Sequence, residues 1–87
     1  MNKIFELLGN NYKKYTESIE SLIFYDDDKW CFPFSEGGEE YIEILIGEKI
    51  SDDYRNLVDF IIDTLNNKRV KPDEFSENFD EIIMKNM

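Results

Sequence analysis

The stretch from Ser51 to Asn67 constrains the fold most, because it is a long amphipathic segment whose apolar side needs partners. Its apolar residues recur at the spacing of one helix face: Tyr54, Leu57, Val58, Ile61 and Leu65. Ser51 is a suitable N-cap, and Asp52 and Asp53 follow in the first turn, where carboxylates complement the helix dipole. The sequence therefore predicts a helix here, with an apolar stripe that other elements must cover.

Two further helices are predicted, one on each side of this stretch. The first covers residues 3–19, with Gly9-Asn10-Asn11 as weak helix formers that make a start at Asn10 the alternative. Its apolar positions again share one face: Ile4, Leu8, Tyr12, Tyr15 and Ile19. The last helix opens at Pro72, since proline is favoured at the first helical position. Its apolar positions are Phe75, Phe79, Ile82 and Ile83.

Residues 22–46 favour strands. The apolar segments 22–25 and 30–34 flank the polar turn Asp26-Asp27-Asp28-Lys29, which predicts a hairpin, and Pro33 places its second strand at an edge. The turn Glu36-Gly37-Gly38-Glu39 then leads into a segment in which Ile42, Ile44 and Ile46 alternate as in a strand. The sequence thus predicts a third strand over Tyr41–Ile46.

These elements predict the fold class α+β, with a three-stranded antiparallel sheet covered by three helices in the order αβββαα. A chain of 87 residues has room for one core, so residues 1–87 are expected to form a single domain. Its hydrophobic fraction of 41% supports folding despite the charge. Neither a membrane span nor a signal peptide is recognisable, which predicts a protein of the bacterial cytoplasm.

The charge balance limits the function classes. The formal net charge is −10, and most of the excess lies after residue 35. Such a field repels nucleic acid and anionic membranes, so neither of these two is an expected partner. It attracts basic protein surfaces. The alternative is that the acidity serves solubility alone.

Enzymatic chemistry is not expected. The chain has no histidine, and its one cysteine, Cys31, lies in the apolar run WCFPF, where a core thiol is expected. Phosphate-binding and hydrolase motifs are missing, and Asp26-Asp27-Asp28 lacks the ligand spacing of a calcium loop. We therefore predict no catalytic residue, no metal site and no cofactor.

The candidate binding residues are carboxylates that rigid turns and helices would present, with one tyrosine among them. They are Asp26, Asp27, Asp28, Glu36, Glu39, Glu40, Tyr41, Glu43, Asp73 and Glu77. Rows of acids on the last two helices, which include Asp59, Asp63, Asp80 and Glu81, resemble the repeating charge of a nucleic-acid backbone. Solvated turns and ordinary amphipathic helices explain the same residues without a partner.

The segment Glu36-Gly37-Gly38-Glu39-Glu40-Tyr41-Ile42, with the helix that follows it, resembles the small acidic anti-CRISPR proteins of the type II-A kind found in Listeria prophages. The resemblance implies a DNA mimic that occupies the PAM-reading surface of an effector nuclease, with Glu40 and its neighbours facing the nuclease. The basic loop Lys68-Arg69-Val70-Lys71 and the aromatic WCFPF segment depart from that family.

The function expected from the charge and the resemblance is that of a stoichiometric inhibitor. It would mimic nucleic acid and block a basic nucleic-acid-binding enzyme, either as a phage-encoded anti-CRISPR protein or as an immunity protein that neutralises a nuclease toxin. A plain interaction module remains a further class, and it predicts binding that hardly changes with salt. The chain is expected to be a monomer or a weak dimer.

Overall fold

The computed structural model describes residues 9–34 and 37–86, so the predicted helix residues Ile4 and Leu8 and the predicted site residue Glu36 lie outside the described residues. Four α-helices and one two-stranded sheet are present in this part of the chain. They are α1 (Tyr12–Leu22), β1 (Phe24–Asp26), β2 (Lys29–Cys31), α2 (Gly38–Ile46), α3 (Asp52–Asn67) and α4 (Phe75–Lys85). Short 3-10 turns, Gly9–Asn11 and Pro72–Glu74, precede α1 and α4.

The predicted three-stranded sheet is wrong, because the third predicted strand lies within helix α2. The described order is therefore αββααα instead of αβββαα. The alternation that favoured a strand also places Ile42 and Ile46 four residues apart, which is the spacing of one helix face, and both side chains are buried. Both periodicities fit this short apolar segment, and packing against α1 favours the helix.

Two glycines fix the ends of α2. Gly37 before the helix and Gly47 after it have φ angles of 88° and 72°, a left-handed conformation that costs little for glycine. Glu39 and Glu40 lie in the first turn, where their charge complements the helix dipole.

The predicted hairpin is present, in a shorter form. β1 and β2 are antiparallel, with Tyr25 opposite Trp30. Asp27 and Asp28 form the turn with φ angles of 52° and 61°, as a two-residue hairpin turn requires, and aspartate tolerates this conformation. The second strand ends at Cys31, two residues before Pro33, which has no N–H to donate.

Trp30 attaches the hairpin to the C-terminal end of α3. Its backbone N–H donates to Asn66 Oδ1 at 2.7 Å, and its carbonyl oxygen accepts from Asn66 Nδ2 at 3.1 Å. The indole Nε1 donates to the carbonyl oxygen of Val70 at 2.9 Å. The amide side chain of Asn66 thus bonds the backbone of β2 as a neighbouring strand would.

The predicted stripe of α3 forms the centre of the core. All five of its residues are fully buried, and the Ser51 Oγ caps the helix by accepting from the Tyr54 N–H at 3.1 Å. Buried residues from other parts of the chain surround α3: Tyr15 and Ile19 of α1, Trp30 of β2, Ile42 and Ile46 of α2, Val70 of the loop after α3, and Phe79 and Ile82 of α4. Among residues 9–34 and 37–86, none of the helices combines the length and the apolar character needed to cross a bilayer.

Tyr54 joins α3 to α1 through a buried hydroxyl. Its Oη lies 2.8 Å from Ser18 Oγ, which also donates to the carbonyl oxygen of Tyr15 at 2.7 Å. Burial raises the pKa of Tyr54, because a phenolate here would lose its hydration. The ionised form is therefore disfavoured in the folded state relative to the unfolded state.

This pKa predicts an alkaline loss of stability. A group whose pKa is raised on folding stabilises the fold fully below its unfolded pKa of about 10, and the contribution is lost as the pH rises through the folded pKa. We expect the urea midpoint to begin to fall above about pH 10 and to keep falling as the pH rises through the raised pKa of Tyr54. Tyr54→Phe should reduce stability by about 1 kcal/mol at neutral pH and flatten this alkaline slope. Equal alkaline losses in both proteins would contradict the assignment to Tyr54.

Candidate protein-binding surface

The acidic hairpin turn does not form a purely acidic surface. Asp26, Asp27 and Asp28 are exposed, as expected. Asp28, however, shares a shallow concavity with Lys29, Arg69 and Lys71, which the loop after α3 brings beside the hairpin. The tip of the hairpin therefore presents charges of both signs.

Two of the three predicted glutamates on α2 hold the local structure. Arg55 donates from Nη2 to Glu39 Oε1 at 2.6 Å, which raises the pKa of Arg55, and its guanidinium lies 5.0 Å from the centroid of the Phe34 ring. Glu43 accepts from the backbone N–H of Ile50 at 3.0 Å. Substituting either glutamate would disturb the fold as well as any partner contact.

The remaining predicted residues that the structure describes are free of such contacts. Glu40 and Tyr41 are exposed on α2, Asp73 is exposed in the 3-10 turn, and Glu77 is exposed on α4. None of these three carboxylates has a cation within 4.0 Å in the described part of the chain.

The predicted residues do not converge on one site. The hairpin is bonded to Asn66 near the end of α3, whereas Glu39 is bonded to Arg55 near its beginning. These two positions are separated by about 16 Å along the helix, at about 1.5 Å per residue. Asp73 and Glu77 belong to a third region, the 3-10 turn and helix α4 that follow α3.

The exposed side of α3 carries an acidic row. Every member is an aspartate or an asparagine, and we call this set the α3 row: Asp52, Asn56, Asp59, Asp63 and Asn67. The row lies opposite the buried stripe, because its members fall between the core positions in the helical repeat. Its aspartates were recognisable in the sequence as an acidic face, because their spacing along the chain is that of one side of a helix.

A groove between α1 and α4 combines apolar and acidic side chains. We call it the α1–α4 groove, and its lining residues are Tyr12, Lys13, Thr16, Glu17, Glu20, Phe79, Asp80, Ile83 and Met84. Glu17, Glu20 and Asp80 come from two helices that are far apart in sequence. Sequence reasoning did not select the two α1 glutamates, because only the packing of α4 places them beside another carboxylate.

A second groove lies between α1 and α2. We call it the α1–α2 groove, and its lining residues are Lys14, Glu17, Ser18, Ser21, Leu22, Tyr41 and Leu45. Glu17 lines both grooves, so they lie on either side of α1. Together they form a continuous surface, the α1 face.

The α1 face and the α3 row lie on opposite sides of the α1–α3 pair. The rings of Tyr15 and Tyr54 meet edge to face with centroids 5.0 Å apart, and Ser18 bonds Tyr54, so this side of α1 is against α3. Glu17 and Glu20 are exposed on the other side of α1. A partner that covers one of these acidic surfaces would leave the other in solvent.

Few carboxylates are neutralised by cations. In the described part of the chain, ion pairs involve only Glu39, Glu48 and Glu81 among the carboxylates. A hydrogen bond from Tyr15 and the nearby Lys14 lower the pKa of Glu48, while Lys85 and Lys68 lower the pKa of Glu81. The acidic residues of the α3 row and of both grooves have no cation within 4.0 Å among the described residues, although Arg55 interacts electrostatically with Asp52 and Asp59.

The chemistry available to these surfaces is the binding of cationic groups. Within residues 9–34 and 37–86, no group of three or more histidine, cysteine, aspartate or glutamate residues is arranged to hold a metal ion. The acidic residues of the grooves stand beside apolar side chains, which allows charge attraction and apolar contact at one interface.

Comparison of the chain with protein families, curated proteins and solved structures gave no match. The αβββαα architecture, on which the resemblance to anti-CRISPR proteins partly depended, is also not the architecture of this chain. The functional argument therefore depends on the surface described above.

Proposed function

We propose that this protein is a stoichiometric inhibitor that binds a basic, nucleic-acid-binding enzyme through its acidic surface. It would act in the bacterial cytoplasm, where such an enzyme meets its substrate. The observation that carries this proposal is that the described carboxylates of α1, α3 and α4 face outward and, apart from Glu81, have no cation within 4.0 Å among the described residues. Acids that served mainly to stabilise the fold would be paired with the available lysines and arginines.

The geometry supports mimicry of nucleic acid in one respect. Asp52, Asp59 and Asp63 form a line on a rigid helix, which presents negative charge at fixed intervals to a basic groove. A nucleic-acid-binding protein gains affinity largely from regularly spaced phosphates, so the same groove attracts this line. The basic corner formed by Lys29, Arg69 and Lys71 would be turned away from such a groove.

Two kinds of target share this chemistry. A CRISPR effector nuclease presents the basic surface that reads and holds DNA, as the resemblance of the α2 segment suggests. A nuclease toxin also presents a basic cleft, and an immunity protein would block it in the same way. The first is our leading proposal and the second is the alternative.

Inhibition assays with the purified protein test the proposal directly. A type II CRISPR effector and, in parallel, a nuclease toxin would be titrated with the chain at about 50 mM and about 200 mM salt. We expect inhibition that is complete at a 1:1 ratio and weakens with salt. Neutralising Glu17, Glu20, Asp59 and Asp63 to the corresponding amides should weaken it about tenfold at low salt, since each exposed charge contributes a few tenths of a kcal/mol or more.

A matched control separates charge from other effects. Asn56→Ala combined with Asn67→Ala alters the same α3 row without changing charge, and it should inhibit as the unmodified chain does. Failure to inhibit either class of nuclease at low salt would refute the proposal. Inhibition that is equal for the amide variant and the control would show that the acidity serves solubility.

A further inference from the structure

Helix α2 is apolar on its exposed side as well as on its buried side. Ile42 and Ile46 are buried, but Tyr41, Ile44 and Leu45 are 55%, 71% and 46% exposed. The large apolar side chains of a surface helix usually lie on its buried side, with polar residues opposite. Here three large apolar side chains instead lie together in solvent, which is typical of an interaction surface.

Tyr41 and Leu45 also form one wall of the α1–α2 groove. Leu22 continues the apolar surface from α1, and the opposite, polar wall consists of Glu17, the two serines of α1 and Lys14, whose charge is paired with Glu48. Glu40 stands beside Tyr41 on the exposed side of α2. Neither Glu17 nor Glu40 has a cation within 4.0 Å among the described residues.

We propose that the exposed apolar face of α2 and the α1–α2 groove dock a basic amphipathic helix of the partner protein. Leucine-like side chains of that helix would contact Tyr41, Ile44 and Leu45, and its lysines or arginines would reach Glu17 and Glu40. A groove between two helices accepts a third helix through anchors spaced three and four residues apart. This inference depends on the proposed function, and it places a helix of the partner at α2 and α1, as a contact additional to the basic groove that would meet the α3 row.

Charge decides between this occupant and a second copy of the chain. A second copy would bring a net charge of −10 against another −10, and its own Glu17 and Glu40 would meet the same carboxylates. A basic helix instead neutralises these two acids while it covers the apolar side chains. An anionic membrane is disfavoured for the same electrostatic reason.

The probe is a synthetic helical peptide of lysine and leucine with leucine on one face, titrated into the isotope-labelled full chain. Amide NMR shifts should move and saturate at Leu22, Tyr41, Ile44 and Leu45. A second peptide, with serine in place of every leucine, has the same charge and should bind at least about tenfold more weakly, because the apolar contacts are lost. Equal binding of the two peptides, or shifts confined to the α3 row, would overturn the proposal.

A pair of variants provides the second measurement. Ile44→Ser and Phe24→Ser each remove an exposed apolar side chain, 71% and 44% exposed, so both should fold, and Phe24 lines neither groove. Ile44→Ser should weaken binding of the lysine–leucine peptide about tenfold, and Phe24→Ser should leave it unchanged. Equal affinities of the two variants for the lysine–leucine peptide would overturn the docking site. It would also be overturned if the unmodified chain were a dimer and Ile44→Ser dissociated that dimer.

The nuclease assay separates this inference from the proposed function. If inhibition is salt-sensitive and Ile44→Ser leaves it unchanged, the docking site on α2 is refuted. The proposal of an acidic inhibitor then still stands. Peptide binding at α2 without inhibition of any nuclease would retain the docking site as a protein-binding groove and refute the inhibitor. Loss of inhibition in Ile44→Ser, with Phe24→Ser unaffected, supports both the docking site and the inhibitor.

Discussion

Trp30→Ala is expected to reduce the free energy of unfolding by about 3 to 5 kcal/mol, as large truncations of buried aromatic residues do. Trp30 is 6% exposed, its ring packs with those of Tyr25 and Phe75 at centroid distances of 5.0 and 4.7 Å, and its indole donates to Val70. A chain of this length has a total stability of roughly 4 to 13 kcal/mol. Much of the variant should therefore be unfolded at physiological temperature.

Urea unfolding followed by far-UV circular dichroism measures this loss without depending on tryptophan fluorescence. Phe24→Ala is the control, since Phe24 lies on the same hairpin but is 44% exposed, and its loss should be below about 1.5 kcal/mol. Trp30→Phe removes the indole hydrogen bond together with part of the buried ring and should cost at least about 1 to 2 kcal/mol. If Trp30→Ala and Phe24→Ala were equally stable, the hairpin would not be packed on α3 as described.

Asn66→Ala is expected to reduce stability by about 2 to 4 kcal/mol, although it removes only a small polar side chain. The Asn66 amide both accepts from and donates to the backbone of Trp30, at 2.7 and 3.1 Å. Without it, the N–H and the carbonyl group of a buried residue lose their partners. The cost is that of two unsatisfied backbone groups, which exceeds the net value of two ordinary hydrogen bonds.

The neighbouring residue supplies a matched control for this prediction. Asn67 has the same side chain but is exposed, so Asn67→Ala should change stability by no more than about 0.5 kcal/mol. Asn66→Asp keeps an acceptor for the Trp30 N–H but cannot donate to the Trp30 carbonyl oxygen, and it should also be destabilised. Equal urea midpoints for the two alanine variants would show that the amide pairing contributes nothing to stability.

The periodic elements of this fold could be predicted from the sequence. The α3 stripe spans more than three turns with one capping serine, and all five predicted core residues are buried. The hairpin was recognisable because three aspartates separate two apolar segments. Long patterns of this kind admit only one period, so local chemistry and tertiary packing agree.

The prediction of a third strand failed because of its short length and the alternation of its isoleucines. Six apolar-rich residues fit a helix and a strand equally well, and the choice then depends on contacts that the sequence does not display. The edge of β2 where a third strand would pair is instead bonded to the Asn66 side chain, 36 residues away. A sequence pattern within one element cannot predict that an asparagine near the end of a helix bonds a strand 36 residues earlier in the chain.

The candidate surface was predicted only in part. The sequence identified exposed acids on the hairpin, on α2 and in the 3-10 turn and helix after α3. Glu39 and Glu43, however, bond Arg55 and the Ile50 N–H within the protein. The α1 glutamates were passed over, because their proximity to Asp80 and Tyr41 arises from helix packing. Charge can be counted from a sequence, whereas its arrangement around a groove requires the fold.

The attachment of Trp30 to Asn66 and Val70 also limits when this chain can fold during synthesis. The hairpin and α1 find their hydrogen-bond partners 36 and 40 residues later, in or just after α3. Until that part of the chain has left the ribosome, the indole of Trp30 and the buried side of α1 lack their partners in and just after α3. The nascent N-terminal half is therefore exposed to proteases and chaperones, and a product that stops before residue 70 is expected to be degraded.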